Sequence, residues 1–569
     1  MRSLKRPLSK FYRKRKFEYI LPETGDWPVV QLARDRKNFI DEVTLESTQR
    51  VKVIRNTTPG LIDELELTRY KEKLRIQTNP WKIDPEDEVV YWEKVKQKLV
   101  DAGNASDQEA EKIAEDTLRD ITSRYANEIT GNFKQSHYKL ARRVANFGFA
   151  RLLNAAKLKG WNAFLKKEYS LQDKIQLVGE VEHLRKLAKI GTVIMVPTHF
   201  SNLDSITMGW AINELGLPPF IYGAGLNLFN INIFSYFMNS LGAYKVDRRK
   251  KNLIYMETLR TYSKQAIQRG CHSLFFPGGT RSRSGKIENR LKLGLLGTAI
   301  EAQRANYMID PQEGRENKIF VVPVVINYNF VLEAPSLIND YLESSGQERY
   351  YVENDEFSTS SKILSFLLKF FTKGSHISMS FGKGMDLFGN YVDEEGKSID
   401  VNGNHINTRD YFLFKGEITY DAQREEEYTR MLADEIVKEY HRINQVLPSH
   451  LAPFVAFQIL RKRHEKMDLF SFLRLPIEEM EIEYEEYKKT FDRLRNIIIE
   501  LYNNGKVDIA PTLTSDLDAV IKEGVENVGM YHARHPLIFN KAGNIATQDL
   551  NTLYYYHNRM EGYELEKYI

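Results

Sequence analysis

The sequence predicts an α/β fold: a mixed, largely parallel sheet covered by helices, with helical extensions at the N- and C-termini. Between residues 180 and 385, short apolar runs alternate with helical patterns, which is typical of parallel strands joined by helices. Residues 1 to about 130, and those from about 425 onwards, are charged and helical in pattern. The 569 residues are 42% hydrophobic and 28% charged, an ordinary globular composition that is long enough for several domains.

The first two predicted regions are residues 1–130, basic at the start and then helical, and residues 131–180, an amphipathic helical segment. Up to residue 17, basic residues interleave with aromatic ones, a pattern that suits an anionic membrane surface and equally a solvated tail. The 131–180 segment either lies on a membrane or packs against the next domain. We therefore expect an anionic membrane surface as a partner. Nucleic acid is not expected, because no known motif accompanies the basic patch.

The predicted location is the cytoplasmic side of a membrane, with peripheral attachment. The single cysteine, Cys271, excludes an intrachain disulfide and indicates a reducing compartment. The first sixteen residues lack the apolar core of a signal peptide. The sequence contains no run of about 18 apolar residues, so it predicts no membrane span. The uncharged segment 217–244 carries several asparagines, which are costly to bury in hydrocarbon.

Residues 181–425 are predicted to form the α/β domain. Its candidate strands are residues 193–196, 220–222, 243–246, 273–276, 320–326 and 377–381. A helical pattern over 251–269 stops at Gly270. In such sheets, ligands gather at the carboxyl ends of the strands. Residues 426–569 are predicted to form a helical accessory domain, with a helical pair over 468–499 and no visible chemistry.

His199 and Asp204 are the candidate catalytic residues. A strand pattern ends just before His199, and helical spacing begins near Asp204. The imidazole should therefore lie at the carboxyl end of a strand, with the carboxylate on the first turn of the next helix. Such a carboxylate can hold the ring in one tautomer and favour its protonated form, as a general base for a hydroxyl requires. A histidine beside a helix-capping aspartate is also a common structural arrangement.

Residues 276–286 predict an anion-binding loop. A Pro-Gly-Gly turn follows a strand pattern, and glycines let backbone N–H groups point at one anion. Arg281 and Arg283 can each bind a phosphate through two N–H groups, and Lys286 adds a point charge. An exposed basic loop is the alternative interpretation. The other candidate substrate-binding residues are Arg248, at the end of a shorter strand, and Gly279, Thr280 and Ser282 in the loop.

Four segments in this order resemble the glycerolipid acyltransferase family, and in particular its glycerol-3-phosphate and dihydroxyacetone-phosphate O-acyltransferases. The family's His-x4-Asp block is matched by His199 and Asp204. Its second block, a glycine-led strand ending in arginine, is matched by residues 242–248, and its third by 276–282. Its fourth block, an apolar strand assigned to the acyl-donor side, is matched at Pro323. The resemblance covers roughly residues 180 to 385.

The resemblance implies transfer of a fatty acyl group from a thioester to the sn-1 hydroxyl of glycerol 3-phosphate, giving lysophosphatidic acid for phospholipid synthesis. The thioester would be acyl-CoA or an acyl-carrier protein. His199 would be the base, and backbone N–H groups near Gly279 and Thr280 would meet the developing oxyanion. Because thioesters are already activated, neither a cofactor nor a metal is expected. The long chain, residues 281–286 and residues 327–333 resemble the subclass that acts on the smaller phosphate acceptors.

One position departs from the family, since Gly278 stands where the third block carries a glutamate. A backbone role filled by glycine and an acid supplied from elsewhere are both open. Three alternative functions follow from the same motifs. Two are acyl transfer to 1-acylglycerol 3-phosphate and to dihydroxyacetone phosphate. The third, motivated by Gly278, is a catalytically inactive, membrane-associated homologue.

Overall fold

The computed structural model describes residues 17–55, 60–81, 83–140, 175–225, 242–309, 317–344 and 377–569. A seven-stranded sheet lies at the centre of these residues. Its strands are β1 (Ile175–Gly179), β2 (Thr192–Pro197), β3 (Ile221–Gly225), β4 (Ala243–Val246), β5 (Ser273–Leu274), β6 (Ile319–Tyr328) and β7 (Ile377–Phe381). The order across the sheet is β1-β7-β6-β2-β5-β3-β4.

The sheet is mixed and largely parallel, which confirms the predicted fold class. Within it, β6 and β7 pair antiparallel, and the other neighbouring strands pair parallel. Strands β1 and β7 therefore run opposite to the remaining five. Every residue of β2, β6 and β7 is buried. Such continuous burial is expected where helices cover both faces of a sheet.

Five helices are interleaved with these strands: α6 (Val181–Ile190), α7 (Asp204–Glu214), α8 (Leu253–Gln268), α9 (Leu293–Met308) and α10 (Ala334–Glu343). Helix α8 lies within the predicted range and ends before Gly270, whose φ of +80° is a conformation that glycine adopts without strain. Strand β5 is shorter than the predicted 273–276. Pro277 has no amide proton to continue the ladder, so the chain turns away into the predicted anion-binding loop.

The N-terminal extension is helical, as predicted, and it has a hydrophobic core of its own. Its helices are α1 (Pro28–Arg34), α2 (Arg36–Ile54), α3 (Leu61–Thr78), α4 (Glu88–Gly103) and α5 (Asp107–Ile129). Trp27 and Phe39 belong to this core, which also takes in Tyr262 of α8. Arg50 of α2 is ion-paired with Glu301 of α9 at 2.5 Å. The same core includes Ile221 of β3 and Tyr244 of β4, so the extension packs against both the outer helices and two strands of the sheet.

Most residues of the two predicted membrane-contact regions lie outside the described residues. The basic start, residues 1–16, lies outside the described residues, and so do residues 141–174 of the predicted 131–180 amphipathic segment. The last part of that segment differs from the helical prediction, because Ile175–Gly179 forms strand β1 and pairs with β7. Among the residues that are described, none of the helices combines the length and the apolar character needed to cross a bilayer.

The C-terminal extension is helical too, but its core is continuous with that of the sheet. Its helices are α11 (Ala422–Ile443), α12 (Pro448–Arg463), α13 (Leu469–Phe472), α14 (Tyr484–Asn503), α15 (Leu517–Asn527) and α16 (Leu550–His557). The Tyr440 hydroxyl of α11 donates to the Val196 carbonyl of β2 at 2.8 Å. Two helices do lie in the predicted pair 468–499, but the first, α13, is shorter than predicted. Pro476 lies between α13 and α14 and disfavours helix in the residue before it.

Candidate active site

His199 and Asp204 lie where the sequence predicts them, at the carboxyl end of β2 and on the first residue of α7. His199 Nδ1 is 2.8 Å from Asp204 Oδ2. The Asp204 side chain is fully buried, whereas that of His199 is 16% exposed. Because a carboxylate only accepts hydrogen bonds, Nδ1 carries a proton, and in the neutral ring Nε2 is the nitrogen with the free lone pair. The ring is therefore in the tautomer that a general base needs.

The Asp204 carboxylate is fixed by further hydrogen bonds. Its Oδ2 also accepts from the backbone N–H groups of Phe200 at 2.7 Å and Ser201 at 2.9 Å. Its Oδ1 accepts from the Tyr328 hydroxyl at 2.5 Å. Tyr328 is the last residue of β6, the strand beside β2. The orientation of the imidazole is thus set by two neighbouring strands and the start of α7.

His199 is also held through its ring face and its backbone. The imidazole stacks on the Phe276 ring with centroids 4.1 Å apart. The His199 N–H donates to Glu288 Oε1 at 2.8 Å, and the His199 carbonyl accepts from Ser282 N–H at 2.7 Å. Phe276, Ser282 and Glu288 all follow β5. The predicted anion-binding loop therefore lies directly against the candidate base.

The two loop arginines are each anchored by a carboxylate. Arg281 Nη1 is 3.4 Å from Glu333 Oε1, and the buried Glu333 also accepts from Asn202 N–H at 2.9 Å. Glu333 therefore connects Arg281 to the same turn that carries His199. Arg283 Nη1 is 2.9 Å from Asp340 Oδ2 on α10. Both guanidinium groups are mostly buried, which contradicts the interpretation of an exposed basic loop.

Lys286 and Ser282 are both bound to other groups of the protein. Lys286 Nζ is 2.5 Å from Glu561 Oε2 of the C-terminal extension. Burial lowers the pKa of Lys286, but the hydrogen bond and charge of Glu561 more than offset this and raise it above the usual value. The Ser282 hydroxyl donates to the Lys286 carbonyl at 2.8 Å, which closes the loop on itself.

The backbone N–H groups of Gly279 and Thr280 are predicted oxyanion donors, but the N–H of Gly279 is already bound within the loop. The φ of Gly279 is +80°, a conformation that favours glycine. Its N–H donates to the Phe276 carbonyl at 3.0 Å, so it closes the Pro-Gly-Gly turn and does not point at a ligand. Thr280 is half-buried in the loop.

Arg248 and Pro323 lie apart from this cluster. Arg248 is exposed after β4, which is three strands from β2 in the sheet order. Three strand spacings amount to about 14 Å, so Arg248 does not follow a strand adjacent to that of His199. Pro323 is buried inside β6, opposite Val196 of β2. It shapes the sheet and presents no surface to an acyl donor.

The sequence does not predict Arg559 as a site residue, although it contacts Phe200, the residue after His199. Its guanidinium is buried and lies over the Phe200 ring at 4.1 Å. Its Nη2 donates to Asn327 Oδ1 at 2.7 Å and Asn444 Oδ1 at 3.0 Å. Burial lowers the pKa of Arg559 to about 10. No sequence motif marks this residue, because its partners lie far away in the chain.

Glu288, Glu333 and Tyr328 were also missed as site residues. Tyr328 and Glu333 fall in residues 327–333, so a sequence signal existed for them, although it indicated only a subclass. In the part of the chain that the structure describes, no group of three or more His, Cys, Asp or Glu side chains is arranged to hold a metal ion.

The fold and the site define the class: an α/β domain that carries a carboxylate-oriented histidine beside a cationic loop at the carboxyl end of its sheet. Residues 179–327 match the family model Acyltransferase. These residues form an acyltransferase-family domain, and the resemblance to glycerolipid acyltransferases is confirmed.

Similar proteins include glycerol-3-phosphate acyltransferases of three bacteria. That of Actinobacillus succinogenes is 29% identical over 211 residues, which are 36% of this chain and 24% of the relative. That of Shewanella putrefaciens is 23% identical over 319 residues, 55% of this chain and 35% of the relative. That of Pseudomonas aeruginosa is 24% identical over 233 residues, 41% and 24% of the two chains. The matches thus span between a quarter and about a third of these relatives.

A crystal structure of the 1-acyl-sn-glycerophosphate acyltransferase from Thermotoga maritima is 13% identical to this chain. The alignment covers 53% of this chain and 92% of that one, with a TM-score of 0.24.

Proposed function

We propose that the protein transfers a fatty acyl group from a thioester to the sn-1 hydroxyl of glycerol 3-phosphate, giving lysophosphatidic acid. The observation that carries the proposal is the His199–Asp204 pair, linked through Glu333 and the adjoining turn to Arg281. The His199–Asp204 pair suits a hydroxyl, and Arg281 suits a phosphate. Glycerol 3-phosphate carries both groups, and the names of the similar bacterial proteins support this acceptor.

The proposed reaction needs one base and no covalent intermediate. His199 Nε2 removes the proton as the acceptor oxygen attacks the thioester carbonyl. Asp204 stabilises the imidazolium that forms. When the tetrahedral intermediate collapses, the carbon–sulfur bond breaks and the imidazolium returns the proton to the departing thiolate. The products are an ester and a free thiol, and His199 regains its starting state.

Arg281 and Arg283 are the proposed phosphate ligands. A guanidinium group carries five N–H donors in a plane, so it can serve a carboxylate and a phosphate at the same time. The contacts with Glu333 and Asp340 fix the orientation of both side chains before the substrate arrives. Pre-set geometry of this kind lowers the entropic cost of bringing the hydroxyl to the base.

The surroundings of the reaction are part of the proposal. Acyl-CoA and acyl-carrier protein are both suitable donors, and the activated thioester requires neither a cofactor nor a metal. We further propose that the protein binds peripherally to an anionic membrane on its cytoplasmic side. Support comes from the basic start of the chain and from the amphipathic product, whose apolar tail enters the leaflet while its head group stays in water.

The decisive experiment is acyl transfer by the full chain from palmitoyl-CoA or palmitoyl-acyl-carrier protein to glycerol 3-phosphate. We expect His199→Ala to lower kcat by about 10²–10⁴, the usual contribution of a general base. The matched control is His405→Ala, because His405 has a 61% exposed side chain and lies on a different sheet. It should leave the rate unchanged.

The same assay separates the alternatives. Faster turnover of 1-acylglycerol 3-phosphate or dihydroxyacetone phosphate than of glycerol 3-phosphate would assign the other acceptor. Absence of product from the unmodified chain with all three acceptors would indicate the inactive homologue. Retention of activity by His199→Ala would reject the proposed base.

A further inference from the structure

Gly278 is the position at which this chain departs from the family it resembles, and its space is occupied by another residue. A Cβ atom on Gly278 would lie 2.9 Å from Glu288 Cγ and 3.1 Å from Glu288 Oε1. The φ of Gly278 is outside the left-handed region, so its backbone does not require glycine. The Glu288 side chain is what excludes a larger residue. A carboxylate is thus present beside position 278, although it comes from ten residues further along the loop.

The Glu288 carboxylate faces the candidate base. Its Oε1 accepts the backbone N–H of His199 at 2.8 Å. Its Oε2 is buried and has no hydrogen-bond partner among the described residues. The other charged or titratable groups near this carboxylate are Asp204, Arg559 and Tyr440. Burial raises the pKa of Glu288 to about 7, against the opposing effects of the His199 N–H and Arg559.

We propose that Glu288 is a positioning residue for His199, which replaces in space the glutamate that glycerolipid acyltransferases carry at the position of Gly278. The inference rests on the proposed acyltransferase function. Glu288 acts through His199, because its hydrogen bond fixes the backbone from which the imidazole projects. The phosphate ligands Arg281 and Arg283 have different carboxylate partners. Loss of Glu288 should therefore lower kcat and leave the KM for glycerol 3-phosphate nearly unchanged.

The first test compares Glu288→Ala with Glu288→Gln in the full chain. We expect Glu288→Ala to lower kcat about 10- to 50-fold, with a KM for glycerol 3-phosphate within about twofold of the unmodified value. Glu288→Gln keeps an oxygen that can accept the His199 N–H, so its kcat should stay within about threefold. A kcat for Glu288→Ala within twofold of the unmodified value would overturn the inference. So would a Glu288→Gln variant as slow as Glu288→Ala.

The second test moves the carboxylate back to position 278. Gly278→Glu alone should be impaired, because the new side chain meets Glu288. In Gly278→Glu/Glu288→Ala that space is open, and we expect kcat at least about fivefold above that of Glu288→Ala. The matched control, Gly278→Ala/Glu288→Ala, fills the space without an acid and should not recover. Equal rates for the two double variants would count against the inference.

The outcomes for the function and for the inference are distinguishable. Absence of product from the unmodified chain would reject the proposed function. An active unmodified chain whose rate is indifferent to Glu288 would reject only the inference. Thermal melting of each variant identifies any that does not fold. If the double variants do not fold, the comparison of Glu288→Ala with Glu288→Gln decides the matter.

Discussion

The two helical extensions look alike in sequence but relate to the site differently. The N-terminal helices have a separate core, which they share with α8, with Ile221 of β3 and with Tyr244 of β4, and they are ion-paired to α8 and α9. The C-terminal helices share the core of the sheet and reach the site itself. Arg559 lies under Phe200, Glu561 pairs with Lys286, and Asn558 donates to the Ser284 carbonyl at 2.8 Å. One extension therefore supports the fold, and the other also completes the wall behind the base.

Two arginine substitutions should show this difference most strongly. Arg559→Met leaves Asn327 and Asn444 without their buried donor, and we expect a loss of about 3 kcal/mol in the free energy of unfolding. Because Phe200 follows His199, kcat should also fall by at least about 30-fold. The measurements are urea unfolding and kcat at a temperature where the variant is fully folded.

Arg50→Met is the control for this experiment. Arg50 pairs with Glu257 and Glu301 in the N-terminal contact, so its loss should cost a similar free energy of unfolding, about 2–3 kcal/mol. Its kcat should stay within about twofold, since no site residue touches it. Equal kcat losses in the two variants would remove the distinction between the extensions.

Gly285→Ala should give the next largest effect. The φ of Gly285 is +83°, and a Cβ there would lie 2.1 Å from the Tyr555 carbonyl oxygen of α16. Relief of that clash must displace the anion-binding loop, so we expect the KM for glycerol 3-phosphate to rise about tenfold. Gly403→Ala is a matched control, because its φ is +86° and nothing lies within 4 Å. It should cost only about 1–2 kcal/mol of backbone strain and leave KM unchanged. A normal KM for Gly285→Ala would show that the loop does not depend on the C-terminal contact.

The smallest effect concerns pH. Burial lowers the pKa of His450 and His557 to about 3, and that of His532 to about 4. These folded pKa values lie below the unfolded value of 6.5, so the unfolded chain binds more protons as the pH falls. The stability that depends on these histidines is complete above pH 6.5. It decreases from there down to about pH 3 for His450 and His557 and to about pH 4 for His532.

Between pH 7 and pH 6 we expect a loss of about 0.7 kcal/mol for each of these histidines. Hydrogen exchange, corrected for intrinsic rates, should show weaker protection in the C-terminal helices at pH 6. Helices α1–α5 contain no histidine, so the N-terminal helices should change less. An equal loss of protection in both extensions would contradict the prediction.

The chemistry of the site was predictable where a residue type and a strand end coincide. His199 and Asp204 could be placed because period and spacing locate β2 and α7. The partners of Arg281 and Arg283 could not, because Glu333 and Asp340 are ordinary acids in a helical pattern. The position of Arg248 in the sheet was not predictable, because sequence order does not give strand order, and β5 and β3 lie between β4 and β2.

The fold was predictable for similar reasons. Continuous apolar runs identify buried strands such as β2, β6 and β7, whatever their neighbours. The reversal of β7 against β6 leaves no trace in the hydrophobic pattern, so the sequence indicated a mixed sheet without saying which strands turn. The role of the C-terminal helices depends on contacts between distant residues, which a local pattern does not contain.

The contact between Arg559 and Asn327 joins residues 232 positions apart. A chain leaving the ribosome exposes its residues in order and folds its early parts first. The segment 179–327 therefore emerges with the underside of its base still uncovered. The contacts behind His199 are therefore completed only after residue 559 has been made.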